Sequence, residues 1–308
     1  MSGTRRSGAH PPGRLRGIVA VCVAVLMVAA CGNPLRGGAE GGDEGRIVIG
    51  ASDVGESLLL AEIYAGALRS AGADDVTVRP PVGGREVLVQ ALQDRSLTLA
   101  PDYSGNLLRY FDENTGATTS EEVSRELPGA LPDGLEVLTA SPAQNTDMLV
   151  VRGDLAAQGV RSISDLAPRC DRLVFGGPGQ WADRWRGQIR KLYGCEFAEI
   201  RTTDTGGPVT VEALRSGEVQ VANMFSTSAS VRANGFVPLD DDRHMFPAQN
   251  IVPLAAEGSL SKPERAALDR VSAALTTEKL TELNVEFSER KRNPADIADE
   301  FLARLGEG

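Results

Sequence analysis

Four groupings of polar residues in this 308-residue chain have the types and spacing that chemistry requires, and each has a plainer alternative. A Ser/His/Asp triad would have to use His244, which lies in DDRHMF beside Asp240, Asp241 and Asp242. No G-x-S-x-G elbow exists to raise a serine above a sheet, so nothing supplies the nucleophile. Asp102 and Glu56 are a candidate carboxylate pair of the glycosidase kind, but Asp102 suits a turn, and Asp53 with Glu56 forms a D-x-x-E helix cap. GGPGQW, from Gly176 to Trp181, follows a strand and precedes a helix, the place where backbone N–H groups cradle phosphates. Pro178 removes one such donor and no Lys or Ser/Thr completes a P-loop, so a strand-to-helix turn is the better reading. The three aspartates lack the spaced ligands and the Gly of a calcium loop and read as a solvated turn. The sequence therefore predicts no catalytic residue, no metal site, no cofactor and no enzyme.

Binding is better supplied. Only 14 of the 308 residues are Phe, Trp or Tyr, and most such rings are core. Two of them, Trp181 and Trp185, stand four apart in the polar segment WADRW, where a ring facing a cleft would hold a cation by cation–π attraction.

The elements that must position these groups follow from hydrophobic periodicity. IVIG (residues 47–50) reads as a buried strand, and Leu59, Leu60, Ile63, Ala67 and Leu68 then keep a 3.6-residue period. VTVR (76–79) alternates as a strand, Gly83-Gly84 opens a second helix bearing Val87, Leu88, Ala91 and Leu92, and LTLA (97–100) closes a βαβαβ unit. The same grammar returns with strands over 147–152, 172–176, 197–201 and 219–223 and helices over 183–193 and 209–215. The tail from 262 to 305 reads as helices, with Pro263 and Pro294 near their starts. Such alternation predicts α/β lobes, each a mostly parallel sheet flanked by helices. Ligands of open α/β sheets bind beyond the carboxyl ends of the strands, so the loops to inspect are 51–55, 80–85, 102–106, 177–185, 202–207 and 225–228.

The N-terminus carries an address. Arg5, Arg6, Arg14 and Arg16 precede an apolar run, residues 18–30, that is short for a span of a hydrocarbon core about 30 Å thick. The run ends Val28-Ala29-Ala30-Cys31, which looks like a bacterial lipoprotein signal: residues 1–30 are removed and Cys31 becomes the lipidated first residue, followed by a Gly-rich tether over 31–45. An ordinary cleaved signal is the alternative. Removing residues 1–30 leaves 28 Lys and Arg against 42 Asp and Glu, four positive charges fewer than the full chain's 32 against 42. An acidic exported part disfavours nucleic acid as a partner. Cys170 and Cys195 remain as an even pair in an oxidising compartment and are expected to form a disulfide, which closes a loop worth roughly 3 to 4 kcal/mol in the chain-entropy picture.

Read in order, IVIGASDVGESLLLAEIYAGAL, GGREVLVQAL and APDYSGNLL, then RSISDLA, RLVFGGPGQWADR, LRSGEVQVANMFSTS, VPLDDDRHMFPAQNIVPL, LTTEKLTELN and NPADIADEFL resemble the substrate-binding lipoproteins of osmoprotectant ABC transporters, the glycine betaine, carnitine and choline type. The resemblance implies a two-lobed type II periplasmic-binding-protein fold, with lobe 1 over 46–142 and 254–308 and lobe 2 over 143–253. Hinge crossings fall near 143–147 and 247–253, and ligand contacts in both lobes close the cleft. It implies a monomer, lipid-anchored at the outer face of the cytoplasmic membrane, that delivers a small osmoprotectant to a permease and its ATPase. The alternative is the same fold holding a polyol, amino acid or aromatic metabolite, as importer receptor or envelope sensor. Tyr103 matches the Tyr of the family's Y-T-G-T motif, with Asn106 where the second Thr stands, and Arg85 replaces a Thr after the paired glycines. Trp185 and Phe225 fall near aromatic cage positions, and Gln249 stands where many members have a Tyr before Asn250. With Ser52, Asp53, Trp181 and Thr227 these complete the expected ligand set. Arg85 and Gln249 favour a ligand with an anionic or hydroxyl-bearing group.

Overall fold

The computed structural model describes residues 45–53, 55–81 and 83–306. The signal read over 1–30, Cys31 and all but the last residue of the tether lie outside the described residues. Two five-stranded sheets form the scaffold. The strands are β1 (Arg46–Ile49), β2 (Asp75–Val78), β3 (Leu99–Tyr103), β4 (Leu135–Val137), β5 (Asp147–Val151), β6 (Val174–Gly177), β7 (Glu199–Thr202), β8 (Val221–Phe225), β9 (Val237–Pro238) and β10 (Ile251–Ala256). The first sheet runs β2-β1-β3-β10-β4 and the second β7-β6-β8-β5-β9. In the first, β1 pairs in parallel with β2 and β3, while β10 is antiparallel to β3 and β4. In the second, β6 pairs in parallel with β7 and β8, while β5 is antiparallel to β8 and β9. The two sheets thus repeat one plan, and the strand that runs against the others is in each case the one entered directly from the other sheet. This is the two-lobed periplasmic-binding-protein fold that the resemblance implies.

Helices cover both faces of each sheet, because the central strands bury side chains on both sides. In the first lobe, helices Gly55–Ser70, Lys262–Ala274 and Pro294–Gly306 pack Leu59, Ile63, Leu268, Val271 and Phe301 on one face. Helices Arg85–Gln93, Ser104–Phe111 and Ser120–Ala130 pack Leu88, Leu92, Leu107 and Val123 on the other. In the second lobe, Phe175 is fully buried with its ring 4.0 Å from Trp181 and 5.0 Å from Phe197. Truncating a ring packed in this way costs about 3 to 5 kcal/mol.

The chain passes from the first sheet to the second between β4 and β5 and returns between β9 and β10, and the two passages bind each other. Gln144 and Asn250 form an antiparallel bridge. Asn145 N donates to Gln249 O at 3.1 Å, and Ile251 N donates to Ala143 O at 3.0 Å. The pair is tied to the first lobe by Ser104 N donating to Asn250 O and to the second by Ser226 N donating to Thr146 O, both at 2.9 Å. Close approach here needs Gly105, where a Cβ would stand 2.4 Å from the carbonyl oxygen of Ala248.

Several sequence expectations shift in detail. The crossing expected over 247–253 runs at its end into β10, a fully buried strand inside the sheet. Pro253 faces Pro101 of β3 across the ladder. The bonds of that ladder fall on the alternate pairs that include Asn250 with Ser104 and Ala256 with Thr98, so neither proline removes one of them. The loop read over 102–106 is instead the end of β3 and the start of helix Ser104–Phe111. The Asp240–Asp242 turn is better bonded than a solvated turn: the Asp241 carboxylate accepts from Met245 N, Phe246 N and Tyr193 OH.

Cys170 and Cys195 are joined by a disulfide with their Cα atoms 5.4 Å apart, at the starts of the segments leading into the paired parallel strands β6 and β7. Replacing both cysteines by alanine is expected to lower unfolding stability by about 3 to 4 kcal/mol. Urea unfolding of the oxidised protein against the double variant measures the difference, and reduction of the wild type should reproduce it.

Candidate functional site

A cleft of about 1070 Å³ opens between the lobes, at the upper end of the roughly 300–1,000 Å³ of small-molecule sites. Its walls come from the carboxyl ends of the parallel strands and the amino ends of the antiparallel ones. In the first lobe these are Asp53 after β1, Arg85 after β2 and Tyr103 at the end of β3. In the second they are Asp147 at the start of β5, Gln180 and Trp181 after β6, Gly206 and Pro208 after β7, and Phe225 at the end of β8. Tyr103 and Phe225 therefore hold the same position in the two repeats of the sheet plan, the last residue of the corresponding strand. A third wall comes from the tail, where Asn284 ends helix Thr277–Asn284 and Val285–Glu289 form a single π-helical turn.

Nine of the residues expected in the ligand set line this cleft: Asp53, Arg85, Tyr103, Asn106, Trp181, Trp185, Phe225, Thr227 and Gln249. Two do not. Ser52 N donates to Ser57 Oγ at 2.8 Å and shapes the loop after β1 from behind the wall. Asn250 is buried in the passage, where its Nδ2 donates to Ser141 O and its N–H to Ser104 Oγ.

The centre of the site is a carboxylate. Glu56 is 6% exposed, and far from capping a helix with Asp53, it points into the protein. Its Oε1 accepts from Tyr103 OH and from Asn145 Nδ2, both at 2.8 Å, and its Oε2 accepts from Asn284 Nδ2. Asn145 Oδ1 in turn accepts from Thr227 Oγ1 at 3.0 Å. First lobe, passage, second lobe and tail thus meet at one side chain. Burial raises the Glu56 pKa from its ordinary value, outweighing the hydrogen bonds from Asn284, Tyr103 and Asn145. Tyr103 is pushed well above the usual phenol range by burial and then by the charge of Glu56.

Arg85 is not free to receive an anion. Its Nε donates to both oxygens of Asp102 at 3.1 and 2.9 Å, and one of its terminal nitrogens donates to Oδ1 at 2.5 Å. Asp102 is 5% exposed, so removing either partner would strand a charge at a cost of about 3 to 5 kcal/mol. Gln249 is committed as well, its Oε1 accepting from Asn106 N at 3.0 Å and so capping helix Ser104–Phe111 from across the passage. Asp102 thus takes up the charge that Arg85 would offer an anionic ligand, while the Gln249 side chain still lines the cleft.

The tryptophans are deeper than a cage requires, at 1% and 3% exposure. Trp181 Nε1 donates to Asn223 Oδ1 at 3.2 Å, and Asn223 Nδ2 donates to Asp147 Oδ1 at 2.9 Å. Trp185 already carries cations: Arg184 lies 5.3 Å and Arg109, from the first lobe, 5.7 Å from its ring centre.

The family described as the substrate binding domain of the ABC-type glycine betaine transport system matches residues 45–304. The chain belongs to this family. The carnitine transport binding protein OpuCC of Listeria monocytogenes is 27% identical over 166 residues, 52% of this chain and 53% of the relative. The chain thus spans about half the length of the curated relatives it matches. Among solved structures, one described as a glycine betaine/carnitine/choline ABC transporter superposes with a TM-score of 0.75 at 21% identity, covering 84% of this chain and 98% of its own. Apo YehZ from Escherichia coli gives 0.69 at 24% identity, covering 85% and 99%. These likenesses carry the fold.

The sequence reading missed Glu56 as a cleft residue, and with it Asn145, Asp147 and Asn284. Asn145 and Asp147 lie within the crossing already marked, so two polar side chains at a hinge were the available signal. Asn284 had none, since it follows Leu283 on a helix read by its apolar face alone.

The raised pKa of Glu56 fixes a pH signature. Below about pH 4 the side chain is protonated folded and unfolded alike. As pH rises past 4.5 the unfolded chain ionises first, so this group's contribution to stability declines until the folded pKa is passed. Urea unfolding from about pH 4 to 8 should show wild type losing stability relative to Glu56→Gln across that window. A difference independent of pH would mean that Glu56 folds with an ordinary carboxylate pKa.

Proposed function

We propose that the chain is the extracytoplasmic solute receptor of an ABC importer, binding a small trimethylammonium osmoprotectant of the glycine betaine, carnitine or choline kind between its lobes and presenting it to a permease driven by an ATPase. The observation that carries this reading is the placement of Tyr103 and Phe225 at equivalent strand ends on opposite lobes of one cleft. A quaternary ammonium has no N–H to donate, and electron-rich ring faces on two sides recognise it by cation–π attraction. Family membership over residues 45–304 supports the importer role. The named relative, a carnitine transport binding protein, supports the ligand class.

In this reading the protein binds and releases, and no bond is broken. Cys31 carries the lipid that holds a monomeric receptor at the outer face of the cytoplasmic membrane. Hinge closure brings Phe225 toward Tyr103, and the closed form is what the permease meets.

Calorimetric titration of the purified chain with glycine betaine, carnitine and choline tests the proposal. Saturable binding of at least one is expected, weakened about tenfold or more in Phe225→Ala, as the loss of one cation–π wall requires. Binding of a polyol or neutral amino acid in place of all three would transfer the fold to a different ligand class.

A further inference from the structure

The charges around the cleft point to a narrower ligand class than the trimethylammonium solutes as a whole, on the assumption that the receptor reading above holds. Glu56, nine-tenths buried in the first lobe, is met only by neutral donors, and no lysine or arginine pairs with it among the described residues. Asp147 stands on the second lobe's wall, partly buried and hydrogen-bonded by Asn223, with Arg184 as the cation acting on it. Of the cations at the cleft, Arg85 is bound bidentately to Asp102, Arg184 lies over the Trp185 ring, and Lys291 of the tail is exposed at the rim. Each lobe therefore puts a carboxylate on the cleft wall, and the buried one, Glu56, has no cation bonded to it among the described residues.

We infer that the cleft selects a monocation lacking a carboxylate, of the choline kind, over a zwitterion such as glycine betaine, with Glu56 and Asp147 as the opposed counter-charges. A cation between them is attracted from both lobes, so its charge favours the closed arrangement. A zwitterion brings its own carboxylate beside these two, and like charge brought together in a low-dielectric cleft is penalised. Burial raises the pKa of both Glu56 and Asp147; Arg184 offsets part of this at Asp147, whereas only neutral hydrogen-bond donors offset it at Glu56.

Neutralising Glu56 should disturb the fold little, because Asn284 Oδ1 is buried without a partner. In Glu56→Gln a flip of the Asn284 amide would set that oxygen opposite the new N–H. The variant removes charge while keeping the network.

The test is calorimetry on the full chain in mild detergent, at fixed pH and salt, with choline, glycine betaine and 3,3-dimethylbutan-1-ol, the uncharged carbon analogue of choline. Choline is expected to bind at least about tenfold more tightly than glycine betaine, and the alcohol not measurably. Glu56→Gln and Asp147→Asn should each weaken choline about tenfold or more and glycine betaine by a clearly smaller factor, so that the preference for choline narrows. A structural role alone would weaken both ligands by the same factor, and that result would overturn the inference. So would a wild-type preference for glycine betaine, which leaves the receptor reading standing. Binding of neither quaternary ligand would instead remove that reading, and this inference with it.

Discussion

Everything at the centre of this molecule is arranged around one carboxylate that has been taken out of water. Glu56 accepts hydrogen bonds from Tyr103, Asn145 and Asn284, which belong to the first sheet, the outward passage and the tail, while Thr227 reaches it from the second lobe through Asn145. A buried carboxyl without a paired cation is tolerated where hydrogen bonds engage its oxygens, and here three donors do so. That requirement fixes the order of parts around the cleft: the tail must return to the first lobe, and the passage must present Asn145 inward. The hydrogen bonds that join the two passages hold it there.

The aromatic and cationic groups then sort into two kinds. Trp181 and Trp185 are structural walls, one packed on Phe175 and Phe197, the other edge-on to Phe246 and carrying two guanidiniums. Burial and the neighbouring charge of Arg184 lower the pKa of Arg109, the residue that reaches this ring from the first lobe. Tyr103 and Phe225 are the rings set at the strand ends. A composition poor in aromatics thus still places one ring at the cleft edge of each lobe.

Much of the architecture could be read from the sequence because helix and strand periods are local: Trp181, Trp185, Ile189 and Tyr193 bury one face of their helix, and the strands that were announced sit within a few residues of their runs, although 59–68 is covered on every side. The alternation that returns after residue 147 pointed to a second lobe of the same class, and the ordered motifs implied the binding-protein fold. What escaped was non-local. The cap motif of Asp53 and Glu56 is a valid local signal that lost to three donors, the farthest 228 residues away. Arg85 and Gln249 looked available because sequence shows side chains without their partners. Pro253 sits in a strand because the register with β3 places it at a pair that exchanges no ladder bond there.

The topology also dictates a schedule. All five strands of the second sheet lie in one uninterrupted stretch, from Asp147 to Pro238, and the Cys170–Cys195 bond closes within it over a separation of 25 residues. The first sheet cannot be completed until β10 has emerged, because that strand sits between β3 and β4. As the chain emerges from N- to C-terminus the second lobe is therefore the part able to finish early and become cross-linked. The first lobe waits, with an open seam in its sheet, for almost the last sixth of the sequence, and that seam is where a chaperone has most to protect.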